Sequence, residues 1–179
     1  ASTGTLDSAL NNTGLGDSVF AALTSGDANT AIGKDAMNAT TTGSNNVGIG
    51  TGALDTNTTG NLNTAVGRSA MFANTTGANN VAVGFGALDA NTTADNNTAL
   101  GYNALTANTT GTANVATGFN SLASNTTGDF NVAIGYNSLD ANTTADNNVA
   151  VGTSALGGNT TGADNIAIGK NSMVSNTTG

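Results

Sequence analysis

The chain has 179 residues, a formal net charge of −8, and no proline, cysteine or histidine. Without cysteine there is no disulfide framework or thiolate metal site, and without histidine the commonest acid–base group and metal ligand is missing. Eleven acidic residues against three basic ones disfavour nucleic acid and anionic membranes, and no stretch approaches the ~18 apolar residues of a membrane span.

Residues 1–15 read as a degenerate first turn, and from Gly16 onward the chain repeats every 17 residues with no insertion or deletion. An apolar residue followed by glycine recurs at Leu15-Gly16, Ile32-Gly33, Ile49-Gly50, Val66-Gly67, Val83-Gly84, Leu100-Gly101, Ile134-Gly135, Val151-Gly152 and Ile168-Gly169, with Thr117-Gly118 filling the remaining slot. A repeat of this length is one supersecondary unit that buries its apolar face only by stacking on its neighbours. Residues 1–179 are therefore expected to form a single all-β domain, a parallel β-solenoid or β-roll of about ten 17-residue turns. The apolar fraction, 37%, suits a thin elongated core.

Columns are counted from the recurring glycine. The second column varies most (Asp17, Lys34, Thr51, Arg68) and is expected to face solvent; in four consecutive turns it holds Phe85, Tyr102, Phe119 and Tyr136. Stacked at the inter-strand spacing, these form a candidate ligand-binding or inter-chain ladder, for instance for a surface glycan, or a device that stabilises the middle of the solenoid. The fifth column is large and apolar in every full turn, from Phe20 and Met37 through Leu54, Leu88, Leu105 and Leu139 to Met173, and is expected to be core. The fourth is nearly always Ala or Ser, and the two columns are expected to lie on a second short strand, with a third near Asn-Thr-Thr.

The eighth column begins an Asn-Thr-Thr motif. Asn57, Asn74, Asn91, Asn108, Asn125, Asn142 and Asn159 each satisfy the glycosylation pattern and are candidate acceptors, although Asn and Thr also suit a solenoid corner. The Thr columns raise the alternative of ice binding, but adjacent threonines point to opposite faces, unlike a flat Thr-x-Thr array. The eleventh column is Gly in most turns but Ala94 and Ala145 in two, so a positive φ is not required there. Asn occupies the fourteenth column without exception from Asn29 to Asn165, as expected for amide ladders along the axis.

The turn ends on a strand, as in Asn131-Val132-Ala133-Ile134-Gly135. Period two puts Val132 and Ile134 on one face and Ala133 on the other, and the larger pair is expected to point inward. On that reading Ala65, Ala82, Ala99, Ala116, Ala133 and Ala150 lie outside, as candidate subunit-packing positions. The acids are scattered, no nucleophile has a histidine partner and no carboxylate pair stands out, so no catalytic, cofactor or metal site is expected and an enzyme is not.

The segments Asn131–Ser138, Asn165–Ser172 and Asn80–Ala87 resemble the repeated Val-Ala-Ile-Gly-x-x-Ser turns of trimeric autotransporter adhesin heads, and the repeats are also similar to those of phage tail-fibre-like proteins. The resemblance covers about Asn12 to Gly179 and implies a left-handed parallel β-roll, three chains to a head, on a cell surface or virion fibre. The expected function is an extracellular structural fibre module that assembles with itself, head to tail or as a homotrimer, with adhesion as an added role. The alternative is a glycan- or ice-binding solenoid module. Both chain ends fall within a repeat, from which end-to-end completion of partial turns is expected.

Overall fold

A computed structural model describes residues 5–7 and 11–179. Among these residues, one short strand per turn builds an 11-stranded sheet whose spatial order is the sequence order. The strands are β1 (Thr5–Asp7), β2 (Asn12–Leu15), β3 (Thr30–Ile32), β4 (Val47–Ile49), β5 (Thr64–Val66) and β6 (Val81–Val83), followed by β7 (Thr98–Leu100), β8 (Val115–Thr117), β9 (Val132–Ile134), β10 (Val149–Val151) and β11 (Ile166–Ile168). From β2 to β11 every pairing is parallel and offset by one repeat, as in Val132↔Val149 and Ala133↔Ala150. The protein is thus a parallel β-solenoid. Residues 1–4 and 8–10 of the expected degenerate first turn lie outside the described residues. β1 pairs with β2 antiparallel, so the first edge of the parallel ladder is already occupied.

The expected second and third strands do not form. The third and fifth columns adopt left-handed backbone, for example Asn103 at φ 50° and Leu105 at φ 55°, and two such residues within three coil the chain too sharply for an extended strand. Hydrogen bonding between turns continues through this segment nonetheless, as in Asn103 N–H to the Phe85 carbonyl (3.0 Å) and Leu105 N–H to the Ser121 carbonyl (3.0 Å). Left-handed leucine is locally unfavourable, and full burial of the side chain offsets it: Leu54, Leu88, Leu105, Leu122, Leu139 and Leu156 are all 0% exposed.

The strand is inverted relative to the expectation. Ala65, Ala82, Ala99, Ala116, Ala133 and Ala150 are 0% exposed and belong to the core, while Val132 and Ile134 point outward. The alanines therefore cannot be subunit contacts. The reason is space. At Gly48, the one glycine in this column between β3 and β11, an added Cβ would lie 2.8 Å from Met37 Cγ, so a cross-section holding one long side chain from column five has no room for an inward Val or Ile.

The first-column glycine is required by close approach. Gly101 has φ +142°, and a Cβ there would meet the Gly118 carbonyl oxygen at 2.4 Å. By contrast, column eleven has no positive φ from Gly26 to Gly162, in keeping with Ala94 and Ala145.

Two buried asparagine ladders fill the rest of the interior. In column fourteen, the Asn63 side-chain oxygen accepts from Asn80 N–H (3.0 Å) while its Nδ2 donates to the Gly77 carbonyl (2.7 Å). In column eight, Asn74 Nδ2 donates to Asn57 Oδ1 (2.8 Å) and to the same Gly77 carbonyl (3.0 Å). Both ladders thus converge on the column-eleven carbonyl, a polar group that water cannot reach.

The column-eight ladder begins abruptly. Thr40 takes the place of asparagine; it is fully buried and its hydroxyl has no partner. In Thr40→Asn the new oxygen would accept from Asn57 Nδ2 and the new amide would donate to the Gly43 carbonyl. Chemical denaturation should show stability raised by about 1–2 kcal/mol.

Candidate functional site

The aromatic column is where the sequence placed it. Phe85, Tyr102, Phe119 and Tyr136 are each between 42% and 53% exposed. Successive ring centroids are 5.2, 5.1 and 5.2 Å apart with interplanar angles of 10°, 8° and 8°, and the Arg68 guanidinium carbon lies 5.6 Å from the Phe85 centroid. Parallel stacking of the turns forces this spacing, and each aromatic pair adds about 0.5–1.5 kcal/mol beyond burial. Because the rings face one another, they present mainly their edges to solvent, with the Tyr102 and Tyr136 hydroxyls among them. A sugar stacks on a ring face, so this geometry favours ladder stabilisation or edge-on contact over stacking of a glycan chain.

The candidate glycosylation positions are inaccessible. Asn57, Asn74, Asn91, Asn108, Asn125, Asn142 and Asn159 are all 0% exposed. Their Nδ2 atoms are hydrogen-bonded in the ladder, as at Asn91 (2.8 Å to Asn74 Oδ1, 3.1 Å to the Ala94 carbonyl). A glycan could not be joined to these nitrogens in the folded chain; the motif exists to make the ladder.

The adjacent threonines divide their work. Column-nine hydroxyls donate to the next turn, as from Thr75 to the Thr92 carbonyl (3.0 Å) and from Thr92 to the Thr109 carbonyl (3.2 Å). From Thr41 to Thr143 the column-nine threonines are half-buried, whereas those of column ten, such as Thr76, Thr93 and Thr110, are exposed. A single rank of hydroxyls is left, rather than the two-dimensional array that would order an ice plane.

The largest feature was missed by reading the strand inside out. Columns fifteen and seventeen form the outward face of the sheet, two side chains wide from β2 to β11, and neither column contains a charged residue. Val83, Leu100 and Ile134 are 39%, 37% and 40% exposed within it. Column thirteen, which carries the exposed Leu62 and Phe130, borders the face on one side, and the aromatic ladder borders it on the other. The signal was present in the sequence: the inward column hardly varies in size, whereas the outward ones alternate among Thr, Val, Leu and Ile.

Among the described residues, no three His, Cys, Asp or Glu side chains are grouped to hold a metal, and no helix is long and apolar enough to cross a membrane. Several acids are structural. The Asp95 carboxylate accepts from Ala78 N–H (2.7 Å) and that of Asp146 from Asp129 N–H (2.8 Å), so each side chain ties down the corner of the preceding turn. Asn61 does the same for Ser44 N–H (2.7 Å).

Comparison with known proteins finds no matching family model, no similar curated protein and no similar solved structure.

Burial raises the carboxyl pKa of Asp89 and Asp140; at Asp55 burial is the larger cause and the Asp35 charge adds to it. The folded chain then holds these protons to higher pH than the unfolded chain. Their effect on stability is most favourable below the ordinary value of 3.8 and turns against folding as pH rises through the raised pKa. Asp89, whose Oδ1 has no partner, is the sharpest case. Asp89→Asn should raise Tm at pH 7, and the gain should vanish below pH 3.8 in a calorimetric pH series.

Proposed function

We propose that this chain is a structural module of an extracellular fibre and that it assembles with copies of itself through the outward sheet face. The observation that carries this reading is the charge-free face formed by columns fifteen and seventeen. Ten parallel strands at about 4.8 Å give a length of ~48 Å; with the bordering columns, whose charged members are Asp17, Lys34, Arg68, Asp164 and Lys170, the width is ~15–20 Å, so the face and its borders cover about 700–1,000 Å². That is about the 800 Å² each partner contributes to a standard stable interface, and apolar patches larger than a few hundred Å² are uncommon on monomers. Chains carrying a net −8 repel one another elsewhere, so an uncharged face is the surface on which two copies can meet.

Lateral packing fits this geometry better than end-to-end growth, because β1 would have to leave β2 before a parallel strand could be added there. A location outside the cell rests on the resemblance to trimeric adhesin heads, and the homotrimer that the resemblance implies is the alternative to a pair. An adhesive role would add a ligand surface to the same scaffold.

The test is a double variant, Val83→Lys with Leu100→Lys. Both positions are half-exposed and outward, so a lysine can reach solvent without disturbing the core. Sedimentation velocity should show assemblies for the native chain and association weakened at least about tenfold for the variant, with the β-sheet circular dichroism unchanged. A native chain that stays monomeric at high concentration, or a variant that assembles equally well, contradicts the proposal.

A further inference from the structure

Column thirteen contains a local contradiction. From Ala28 to Asp164 every residue in it has φ between 55° and 63°, a backbone that suits Asn and Asp, and Asn45, Asn79, Asn96 and Asn147 follow that preference. Leu62 (φ 59°) and Phe130 (φ 58°) do not. They are also the most exposed large apolar side chains between β2 and β10, at 56% and 60%. The left-handed leucines of column five recover their backbone cost through burial; Leu62 and Phe130 bury little within their own chain, so the compensation has to come from another molecule.

Their placement indicates which molecule. Residues 62 and 130 are 68 apart, four repeats of 17, and Asn96 lies midway between them in the same column. Asn96 immediately precedes the segment leading into β7, close to the middle of the β2–β11 sheet. A twofold axis across the solenoid at Asn96 sets the two sheets face to face with opposite chain directions and overlaps them over nearly their full length. The same axis brings Leu62 onto the partner subunit's Phe130, and Phe130 onto the partner subunit's Leu62. Such isologous pairing is the geometry of a C2 interface, with one apolar anchor on either side of its centre.

We infer that Leu62 and Phe130 are the rim anchors of an antiparallel homodimer formed through the outward sheet face. This rests on the reading that the face meets a second copy, and it adds the partner's direction and register.

The chain has no cysteine, which allows a clean cross-linking test. Leu62→Cys and Phe130→Cys chains, alone and mixed, are treated with a bismaleimide spanning about 10 Å, the separation of packed sheets. The mixture should give cross-linked dimer and either chain alone little. Efficient cross-linking of Leu62→Cys with itself would place the twofold axis at Leu62 rather than at Asn96 and would overturn the inference while leaving self-association standing. A native chain that sediments as a monomer would overturn both. A second variant separates docking from folding: Leu62→Asn with Phe130→Asn restores the residue the backbone prefers. Its thermal stability at concentrations where the chain is monomeric should match or exceed that of the native chain, while its association weakens at least about tenfold. Unchanged association in that variant would also overturn the inference.

Discussion

The solenoid depends on how little room there is inside a turn. One long side chain from column five and one small side chain each from columns four and sixteen nearly fill the apolar part of the cross-section, where a Cβ added at Gly48 would come within 2.8 Å of Met37 Cγ. The remaining interior holds backbone carbonyls beyond the reach of water. Each would cost about 1–3 kcal/mol if left unpaired, and the two asparagine ladders pair them once per turn. A chain with only 37% apolar residues can fold in this way because its core is as much hydrogen-bonded amide as hydrocarbon.

The same narrowness governs the exterior. Since alanine is what fits inward on the strand, the β-branched residues that favour extended backbone must face out. The apolar sheet face is a geometric consequence of the thin core, and with no charge on it the face suits contact between copies. The bordering columns then distinguish themselves: the aromatic ladder is satisfied within the chain by ring stacking, whereas Leu62 and Phe130 are not.

Much of this was legible in the sequence. The unbroken repeat fixed the parallel stacking and its register, the fifth column its core, and invariant Asn its ladders; variability in column two marked solvent, and four consecutive aromatics there had to stack. The face of the strand was misread because larger apolar residues are ordinarily inside, a rule that assumes a core wide enough to receive them. Only the cross-section, set by left-handed Leu105 and its equivalents, shows that it is not. The second strand was misread for a related reason: nothing in Asn-Ala-Leu declares two left-handed residues. The Asn-Thr-Thr motif matched a glycosylation pattern because it supplies an inward amide and a threonine that donates to the next turn, chemistry invisible to a three-residue pattern.

Side-chain amide hydrogen exchange measured by NMR tests the buried-ladder account most directly. The Nδ2 hydrogens of Asn74, Asn91, Asn108 and Asn125 should exchange only through opening of the solenoid, far more slowly than those of the exposed Asn45, Asn79 and Asn96. Ladder and surface amides exchanging at the same rate would contradict the account.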